Sequence, residues 1–222
     1  MVCCERYCAA EKHFGRKTAE RDLRRYQRGG ADPITKLLLR ELRRWSLQGL
    51  TLLDVGGGIG VIDMELAQDG VGAATVVEAS PAYCEVARSA VERCYGSRPV
   101  QFIVGDFATL APGLAEADVI TLDRVVCCYP DAEALLRSAA NRARQIIAYT
   151  YPRNRWYVHA FIFFQNARRR LTGNPFRAFL HSPESMCSVL ETAGLMRIAR
   201  QGNAVWMVDV YHKTSASDPS RC

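Results

Sequence analysis

A glycine-rich turn that directly follows an apolar run constrains the fold more than any other feature of the sequence. Residues 52–55 read Leu-Leu-Asp-Val, which is typical of a buried parallel strand, and glycines follow at alternate positions, Gly56, Gly58 and Gly60. The apolar-periodic residues 61–67 then predict a helix. Glycine permits positive φ and lets a ligand lie against the main chain, and the N-terminus of the helix points unpaired N–H groups at that ligand. The sequence therefore predicts a strand–turn–helix unit that holds a ligand at the turn.

Acidic residues stand at the carboxyl ends of four predicted strands. The strand-like runs are residues 52–55, 73–77, 100–104 and 118–122, and the acidic residues are Asp54, Glu78, Asp106 and Asp123. Strands that alternate with helix-length segments form a parallel sheet, and ligands bind beyond the carboxyl ends of its strands. A carboxylate at the tip of the second strand can accept both ribose hydroxyls of a nucleoside. A single carboxylate could be a solvated loop residue or a helix cap, but four acidic or glycine features at four strand ends, in register, indicate a nucleoside site.

The spacing of the glycines resembles a known cofactor-binding motif. It reads G-x-G-x-G with Asp54 two residues earlier, whereas a dinucleotide fingerprint reads G-x-G-x-x-G. This resembles motif I of the class I S-adenosylmethionine (SAM) methyltransferases, and a glycine-rich turn of another nucleotide-binding α/β protein is the alternative. The resemblance implies SAM as the cofactor, with its methionine half in the glycine loop and its ribose on Glu78. It also implies that Asp106 takes the adenine amino group, that Phe107 packs on the ring, and that Asp123 contacts SAM or acts near the methyl group.

The same resemblance implies a fold and a division of the chain. The expected fold is α/β and Rossmann-like, with a mostly parallel seven-stranded sheet whose last strand is antiparallel. Residues 1–48 are expected to form an N-terminal helical lid, for which a plain surface helix is the alternative, and residues 49–214 to form the SAM-binding domain. An insertion at about 152–181 is expected at the acceptor end, a closing hairpin around residues 202–203, and a disordered tail at 215–222.

Parts of the chain outside the glycine motif resemble one branch of that family, the magnesium-protoporphyrin O-methyltransferases and their small-molecule relatives. The resemblance rests on a pattern near the N-terminus, on the Tyr-Pro pair at 129–130, and on residues 177–181, Arg-Ala-Phe-Leu-His. The family carries Tyr-Phe where this sequence has His13-Phe14, and a histidine where this sequence has Cys128 before the Tyr-Pro pair. The two polar side chains that the family places beside the acceptor are therefore replaced.

This branch implies O-methylation of a carboxylate or hydroxyl on a small molecule by in-line displacement. A protein catalysing that reaction mainly aligns the acceptor and excludes water, and a base helps where the acceptor is not yet ionised. The insertion combines aromatic and arginine side chains, which suits an anionic or aromatic molecule, and a helix packed by its aromatics is the alternative. The candidate catalytic residues are His13, Tyr129, His159 and His181, although a lone histidine is commonly structural. The candidate acceptor-binding residues are Tyr26, Cys128, Arg153, Trp156 and Arg177.

Three alternative functions follow from other residues. Cys127 and Cys128 come just after the fourth strand and suggest a thiol or metalloid acceptor, with Cys3, Cys4 or Cys8 closing over the site, although buried thiols are also common packing residues. The arginines of the insertion could track RNA phosphates or a protein, but the sequence has neither an Asn-Pro-Pro-aromatic motif nor an RNA-binding module, so nucleic acid is not the expected partner. A non-catalytic SAM-binding protein is the third alternative. The resemblance implies no catalytic metal, because Tyr-Pro-Arg at 151–153 stands where cation-dependent relatives need an acidic or amide pair.

Composition bounds these interpretations. A chain of 222 residues that is 49% hydrophobic accommodates one α/β domain with a helical extension. The net charge of +6 fits an anionic substrate or nucleic acid. Nine cysteines without an export signal favour free thiols and predict a cytoplasmic protein. No apolar run approaches the roughly 18 residues that span a bilayer, so no membrane span is predicted.

Overall fold

The structure, a computed structural model, describes residues 15–214. Some of the predictions fall outside the described residues, namely those for His13, Phe14, the N-terminal cysteines and the tail at 215–222.

The described residues form a seven-stranded sheet in the order β3-β2-β1-β4-β5-β7-β6. The strands are β1 (Thr51–Val55), β2 (Ala73–Glu78), β3 (Val100–Val104), β4 (Ala117–Leu122), β5 (Ala143–Pro152), β6 (Leu195–Gly202) and β7 (Trp206–Lys213). Strands β1 to β5 pair in parallel, and β7 runs antiparallel to both of its neighbours, β5 and β6. The predicted mostly parallel sheet, its antiparallel last strand and its closing hairpin are confirmed.

Helices connect the strands and cover both faces of the sheet. They are α1 (Arg16–Gly29), α2 (Pro33–Leu42), α3 (Val61–Gln68), α4 (Pro81–Tyr95), α5 (Phe107–Leu110), α6 (Ala132–Ala140), α7 (Trp156–Leu171) and α8 (Pro183–Thr192). No helix within residues 15–214 has both the length and the apolar character that crossing a membrane requires.

The core has two halves because the strands bury side chains on both faces. Within β1, Leu52 packs against α2, α3 and α4, whereas its neighbour Leu53 packs on the opposite side with α6 and α8. Successive strand residues point to opposite faces, so a strand buried on both faces needs consecutive apolar residues. This explains the unbroken apolar runs that predicted the parallel strands.

The helices before β1 are fixed by local capping and by packing near the glycine loop. The Asp32 side chain accepts hydrogen bonds from the N–H groups of Ile34 and Thr35, each at 3.2 Å, and Pro33 occupies the first turn of α2. In α1, Ala19 is fully buried and packs against Ile59 of the glycine loop. Helix α1 therefore lies directly over the turn that dominates the sequence.

Candidate functional site

A cavity of about 870 Å³ lies at the carboxyl ends of β1 to β4 and extends under α1 and α7. Eleven of the predicted site residues line it: Tyr26, Asp54, Gly56, Gly58, Glu78, Asp106, Phe107, Asp123, Cys128, Tyr129 and Arg177. The position agrees with the rule that open parallel sheets bind ligands beyond the carboxyl ends of their strands.

The glycine loop is held in a backbone conformation that favours glycine. Gly56, Gly58 and Gly60 have φ values of 66°, 57° and 77°. A Cβ on Gly56 would overlap Val125, and a Cβ on Gly60 would overlap Val91 of α4. Gly56 and Gly58 line the cavity, whereas Gly60 caps α3 from behind. The loop therefore offers bare main chain to a ligand on one side and packs tightly on the other.

Glu78 at the tip of β2 ties the second strand to the glycine loop. Its carboxylate accepts hydrogen bonds from the N–H groups of Gly58 at 3.0 Å and Ser80 at 2.7 Å. Burial raises the pKa of Glu78, since only 8% of the residue is exposed. Each carboxylate oxygen can accept more than one hydrogen bond, so Glu78 keeps acceptor capacity for ligand hydroxyls on the cavity side.

The side chain of Asp54 lies beneath the glycine loop, in the lining of the cavity, and its role in cofactor binding stays a prediction. The Thr121 hydroxyl donates to Asp54 Oδ1 at 2.5 Å, while Oδ2 is buried under Gly57. Asp63 on α3 is equally buried, and burial raises the pKa of both carboxyls, that of Asp63 to about 6. The charge of the neighbouring Asp63 adds to the effect of burial on Asp54, so the pair favours the neutral form of at least one carboxyl. Asp54 therefore shapes the loop from below.

The end of β4 carries a polar network that the sequence did not reveal. Asp123 accepts hydrogen bonds from the hydroxyls of Thr35 at 2.6 Å and Thr150 at 2.7 Å. The next residue, Arg124, has a φ of 61° and forms an ion pair with Asp32 at 2.7 Å. A positive φ on a non-glycine residue costs energy and persists only where surrounding contacts enforce it. The network fixes α2, β4 and β5 around the cavity.

Vicinal cysteines lie at the far end of the cavity. Cys127 and Cys128 both line it, and their sulfur atoms are 3.9 Å apart. Both thiols donate to the Arg124 carbonyl, at 3.5 and 3.4 Å. A hydrogen bond from Cys128 lowers the pKa of Cys127, and the same contact raises the pKa of Cys128. Cys127 is therefore the more acidic thiol of the pair.

An extended segment after α7, residues 175–179, closes the same end of the cavity. Asn166 of α7 holds Ala178 at two points, since its Nδ2 donates to the Ala178 carbonyl at 2.8 Å and its Oδ1 accepts from the Ala178 N–H at 3.0 Å. The Phe179 N–H donates to the Cys127 carbonyl at 2.7 Å. The segment is thus fixed to both α7 and the cysteine turn.

Five predicted site residues in the described part of the chain do not line this cavity: Gly60, Arg153, Trp156, His159 and His181. Trp156 is 79% exposed, and the exposed His159 bonds to Asn154 at 2.6 Å. Arg153 contacts the Met207 sulfur on β7 at 3.0 Å, and His181 Nε2 lies 2.8 Å from the Tyr129 carbonyl, which requires Nε2 to carry the proton. Burial lowers the pKa of His181, so it supports the Tyr129 turn as a neutral ring.

Several cavity residues were missed by the sequence interpretation: Asp22, Arg25, Arg124, Gln165 and Arg169. Arg25 and Asp22 lie on α1, which the lid prediction could have indicated. Gln165 and Arg169 share the inner face of α7, four residues apart, and Arg169 stacks over Phe176 at 5.0 Å. The i, i+4 spacing was a signal for a shared face, but nothing local showed which face turns inward.

Comparisons with known proteins agree with this geometry. Residues 52–145 match a family described as "Methyltransferase domain". Ribosomal protein L11 methyltransferase from Pelotomaculum thermopropionicum is 32% identical over 109 residues, which are 48% of this chain, and the chain spans only 35% of the length of that relative.

Solved structures extend the similarity beyond the matched domain. A magnesium protoporphyrin IX methyltransferase from Synechocystis with bound S-adenosylhomocysteine (SAH) superposes with a TM-score of 0.71, at 16% identity, over 94% of this chain and 100% of that one. An O-methyltransferase family protein from Burkholderia thailandensis gives a TM-score of 0.65 at 15% identity, over 92% of this chain and 64% of that one. At these identities the similarity concerns the fold. Together with the match over residues 52–145, it shows that the chain has the fold of the class I SAM-dependent methyltransferases and resembles the magnesium-protoporphyrin O-methyltransferase branch.

Proposed function

We propose that the chain transfers the methyl group of SAM to an oxygen of a small-molecule acceptor, either a carboxylate or a hydroxyl. One observation supports this above others. A single cavity of about 870 Å³ runs from the glycine loop and Glu78 to Cys128 and Arg169, which is room for a nucleoside cofactor and a second molecule together. The names of the two structural relatives, a porphyrin methyltransferase and an O-methyltransferase, point to the same acceptor class.

The residues at the β1–β3 end fit SAM. The bare backbone of Gly56 and Gly58 would hold the methionine part, Glu78 the ribose hydroxyls, and Asp106 with Phe107 the adenine. Helix α1 would cover the bound cofactor as a lid, since Tyr26 and Arg25 line the cavity above it. When bound, SAM supplies an electrophilic methyl group on a sulfonium.

The other end of the cavity suits an anionic acceptor with an apolar body. Arg124, Arg169 and Arg177 line it together with Phe161 and Phe179. The Arg177 guanidinium already donates to two backbone carbonyls, at 2.6 and 2.8 Å. Arg169 makes one long hydrogen bond, 3.4 Å to Asn166, and keeps donors for a ligand. Arg169 is therefore the guanidinium best placed to orient an acceptor carboxylate.

Methyl transfer to a carboxylate acceptor requires little acid–base catalysis by the protein. Such a group is ionised at pH 7, and its oxygen forms the new O–CH₃ bond while the C–S electron pair stays on sulfur. The protein's task is then to align the oxygen and exclude water, which the closed segment at 175–179 and the apolar wall of α7 accomplish. A hydroxyl acceptor needs proton removal, for which Asp123 is a cavity carboxylate within the described residues.

Turnover assays that follow SAH release test the proposal. The enzyme is offered SAM with aromatic carboxylates, phenols, thiols and neutral amides of the same ring systems. We expect SAH release with a carboxylate or phenol. Glu78→Ala should weaken SAM binding by about 1.5–3 kcal/mol because charged hydrogen bonds are lost. Arg169→Gln should raise KM for the carboxylate but not for a neutral phenol.

Two results would remove this proposal. The first is SAM binding without turnover of any oxygen acceptor, which would leave a non-catalytic SAM-binding protein. The second is methylation of protein or RNA, and of no small molecule, by the wild type and by both variants. Exposed Glu85→Gln is the matched control for Glu78→Ala, since Glu85 lies outside the cavity and forms an ion pair with exposed Arg16, at 3.2 Å, so SAM binding should be unchanged.

A second candidate, transfer to a thiol or a trivalent metalloid, is favoured by the cysteine pair alone. Adjacent thiols whose sulfur atoms are 3.9 Å apart, both in the cavity wall, suit a soft acceptor. Arsenite binding is the direct test, with Cys127→Ser and Cys128→Ser together and with Cys94→Ser, on α4 outside the cavity, as the control. Binding that the double variant leaves intact would eliminate this candidate.

A further inference from the structure

Helix α7 exposes a stripe of large apolar side chains on its outer face. Trp156, Phe163, Phe164 and Leu171 are 79%, 68%, 69% and 88% exposed. Positions 156, 160, 163, 164, 167 and 171 are apolar and follow helical spacing, so they share one side of the helix. A stripe of this kind normally faces a core, yet here it faces outward.

The inner face of the same helix is already occupied. Val158, Ile162 and Gln165 line the cavity, and Val158 is buried. Phe163 and Phe164 do not line the cavity, and within the described residues their rings meet edge to face at 5.7 Å. The cavity and the closure of its acceptor end therefore do not account for the outer stripe. Contiguous exposed apolar surface of this kind marks an interaction site.

The charges around the stripe are all positive. Residues 153–177 contain six arginines and no aspartate or glutamate. Arg155 lies at one end of the stripe, and Arg168 and Arg170 flank its other end on opposite sides of the helix, all three exposed. A partner that binds an apolar stripe bordered by arginines must offer an apolar region for the stripe and negative charge around it.

A second copy of this chain does not meet that requirement. A two-fold interface brings the same surface patch of both copies together. Packed antiparallel, α7 would place Arg168 and Arg170 of one copy near Arg155 of the other, and packed in parallel it would oppose each arginine with its counterpart. With no acidic residue between 153 and 177, either arrangement sets like charges against one another.

We propose that the outer face of α7 docks on an anionic lipid bilayer and lies in the interface plane. Aromatic and leucine side chains on one face with arginines at its borders are the composition of interfacial helices, whose apolar face enters the boundary between headgroups and acyl chains. Each arginine near such a surface adds attraction to anionic headgroups. The helix neither needs nor has the length to span the bilayer. Docking brings α7, one wall of the cavity, to the membrane surface.

Vesicle co-sedimentation tests docking independently of methyl transfer. Wild-type protein is mixed with vesicles of phosphatidylcholine alone or with about one third phosphatidylglycerol. We expect binding to the anionic vesicles. Phe163→Gln with Phe164→Gln should lower the partition coefficient at least about tenfold. Arg168→Gln with Arg170→Gln should lower it about 25-fold on anionic vesicles, since each charge contributes about fivefold.

Matched measurements keep the interpretation specific. Met196→Gln removes an apolar residue that is 58% exposed on β6, away from α7, and should bind vesicles as the wild type does. SAH binding should be unchanged in both double variants, which shows that they are folded whatever the methyl acceptor is. Three results would each overturn the proposal. The first is a wild-type protein that does not bind anionic vesicles, the second is equal binding by all variants, and the third is a wild-type dimer that dissociates in the phenylalanine variants.

Discussion

Gly60 offers a sharp test of how the glycine loop is built, because one methyl group meets two separate penalties there. Gly60 has a φ of 77°, and an added Cβ would overlap the fully buried Val91 of α4. Left-handed backbone costs an alanine about 1–2 kcal/mol. Overpacking a tight core costs about 1–3 kcal/mol more. Gly60→Ala should therefore lower the free energy of unfolding by about 2–5 kcal/mol, a large part of the about 5–15 kcal/mol typical of a domain.

Two other glycines separate the penalties. Gly96 also has a positive φ, 61°, but nothing lies within 4 Å of an added Cβ, so Gly96→Ala should cost only the backbone term of about 1–2 kcal/mol. Gly29 ends α1 with an ordinary φ and open space around it, so Gly29→Ala should stabilise by about 0.4–1 kcal/mol. Urea unfolding of the three variants gives the series directly.

Calorimetry with SAH connects the same series to function. An alanine at position 60 would overlap α4, and the glycine loop must move to relieve that overlap. SAH binding should therefore weaken in Gly60→Ala. Gly96→Ala, at the far end of α4, should bind SAH as the wild type does. Equal losses of stability at positions 60 and 96, or unchanged SAH affinity in Gly60→Ala, would refute the claim that close packing behind the loop shapes the cofactor site.

Two buried carboxylates give further predictions. A pKa of about 6 for Asp63 against an ordinary 3.8 means that the folded state holds this proton more tightly, so stability is greatest below about 4 and falls as pH rises through about 6, by up to about 3 kcal/mol. Asp63→Asn should remove that fall, so its advantage over wild type in thermal unfolding should grow between pH 5 and 8; a constant difference would contradict the buried pair with Asp54. On β7, fully buried Asp209 accepts two hydrogen bonds from Arg200, at 2.8 and 2.7 Å. Arg200→Ala should lower the free energy of unfolding by about 3–5 kcal/mol because it leaves a buried charge without its ionic partner. Arg88→Ala, which breaks an exposed ion pair and a cation–π contact with Phe102 at 4.8 Å, should lower it by only about 1 kcal/mol; similar urea midpoints for the two variants would contradict this.

The sequence predicted the sheet because the signals for it are local. Consecutive apolar residues mark a strand buried on both faces, and alternate glycines mark a turn that needs positive φ at Gly56, Gly58 and Gly60. The acidic residues at strand ends come together because parallel strands end at one edge. These features need no knowledge of which strands are neighbours.

The contacts that fix the cavity from the side were not predictable in this way. Asp123 is held by Thr35 and Thr150, which lie 88 and 27 residues away along the chain, so only the folded topology brings them together. The positive φ of Arg124 has no sequence signal, since arginine gains nothing from that conformation and is held there by Asp32 and Thr150. Local sequence patterns carry no information about long-range polar contacts of this kind.

Helix α7 shows how a correct composition can still mislead about orientation. Its aromatic residues suggested an acceptor pocket, yet of these only Phe161 lines the cavity, while Trp156, Phe163 and Phe164 point outward. The helix is apolar on two faces, so its periodicity could not say which face binds a small molecule. The absence of aspartate and glutamate between positions 153 and 177 was the better indication of what the outer face contacts. A face that packs inside this chain could be bordered by either charge, whereas the arginines that border the outer face of α7 support the proposed docking on a negative surface.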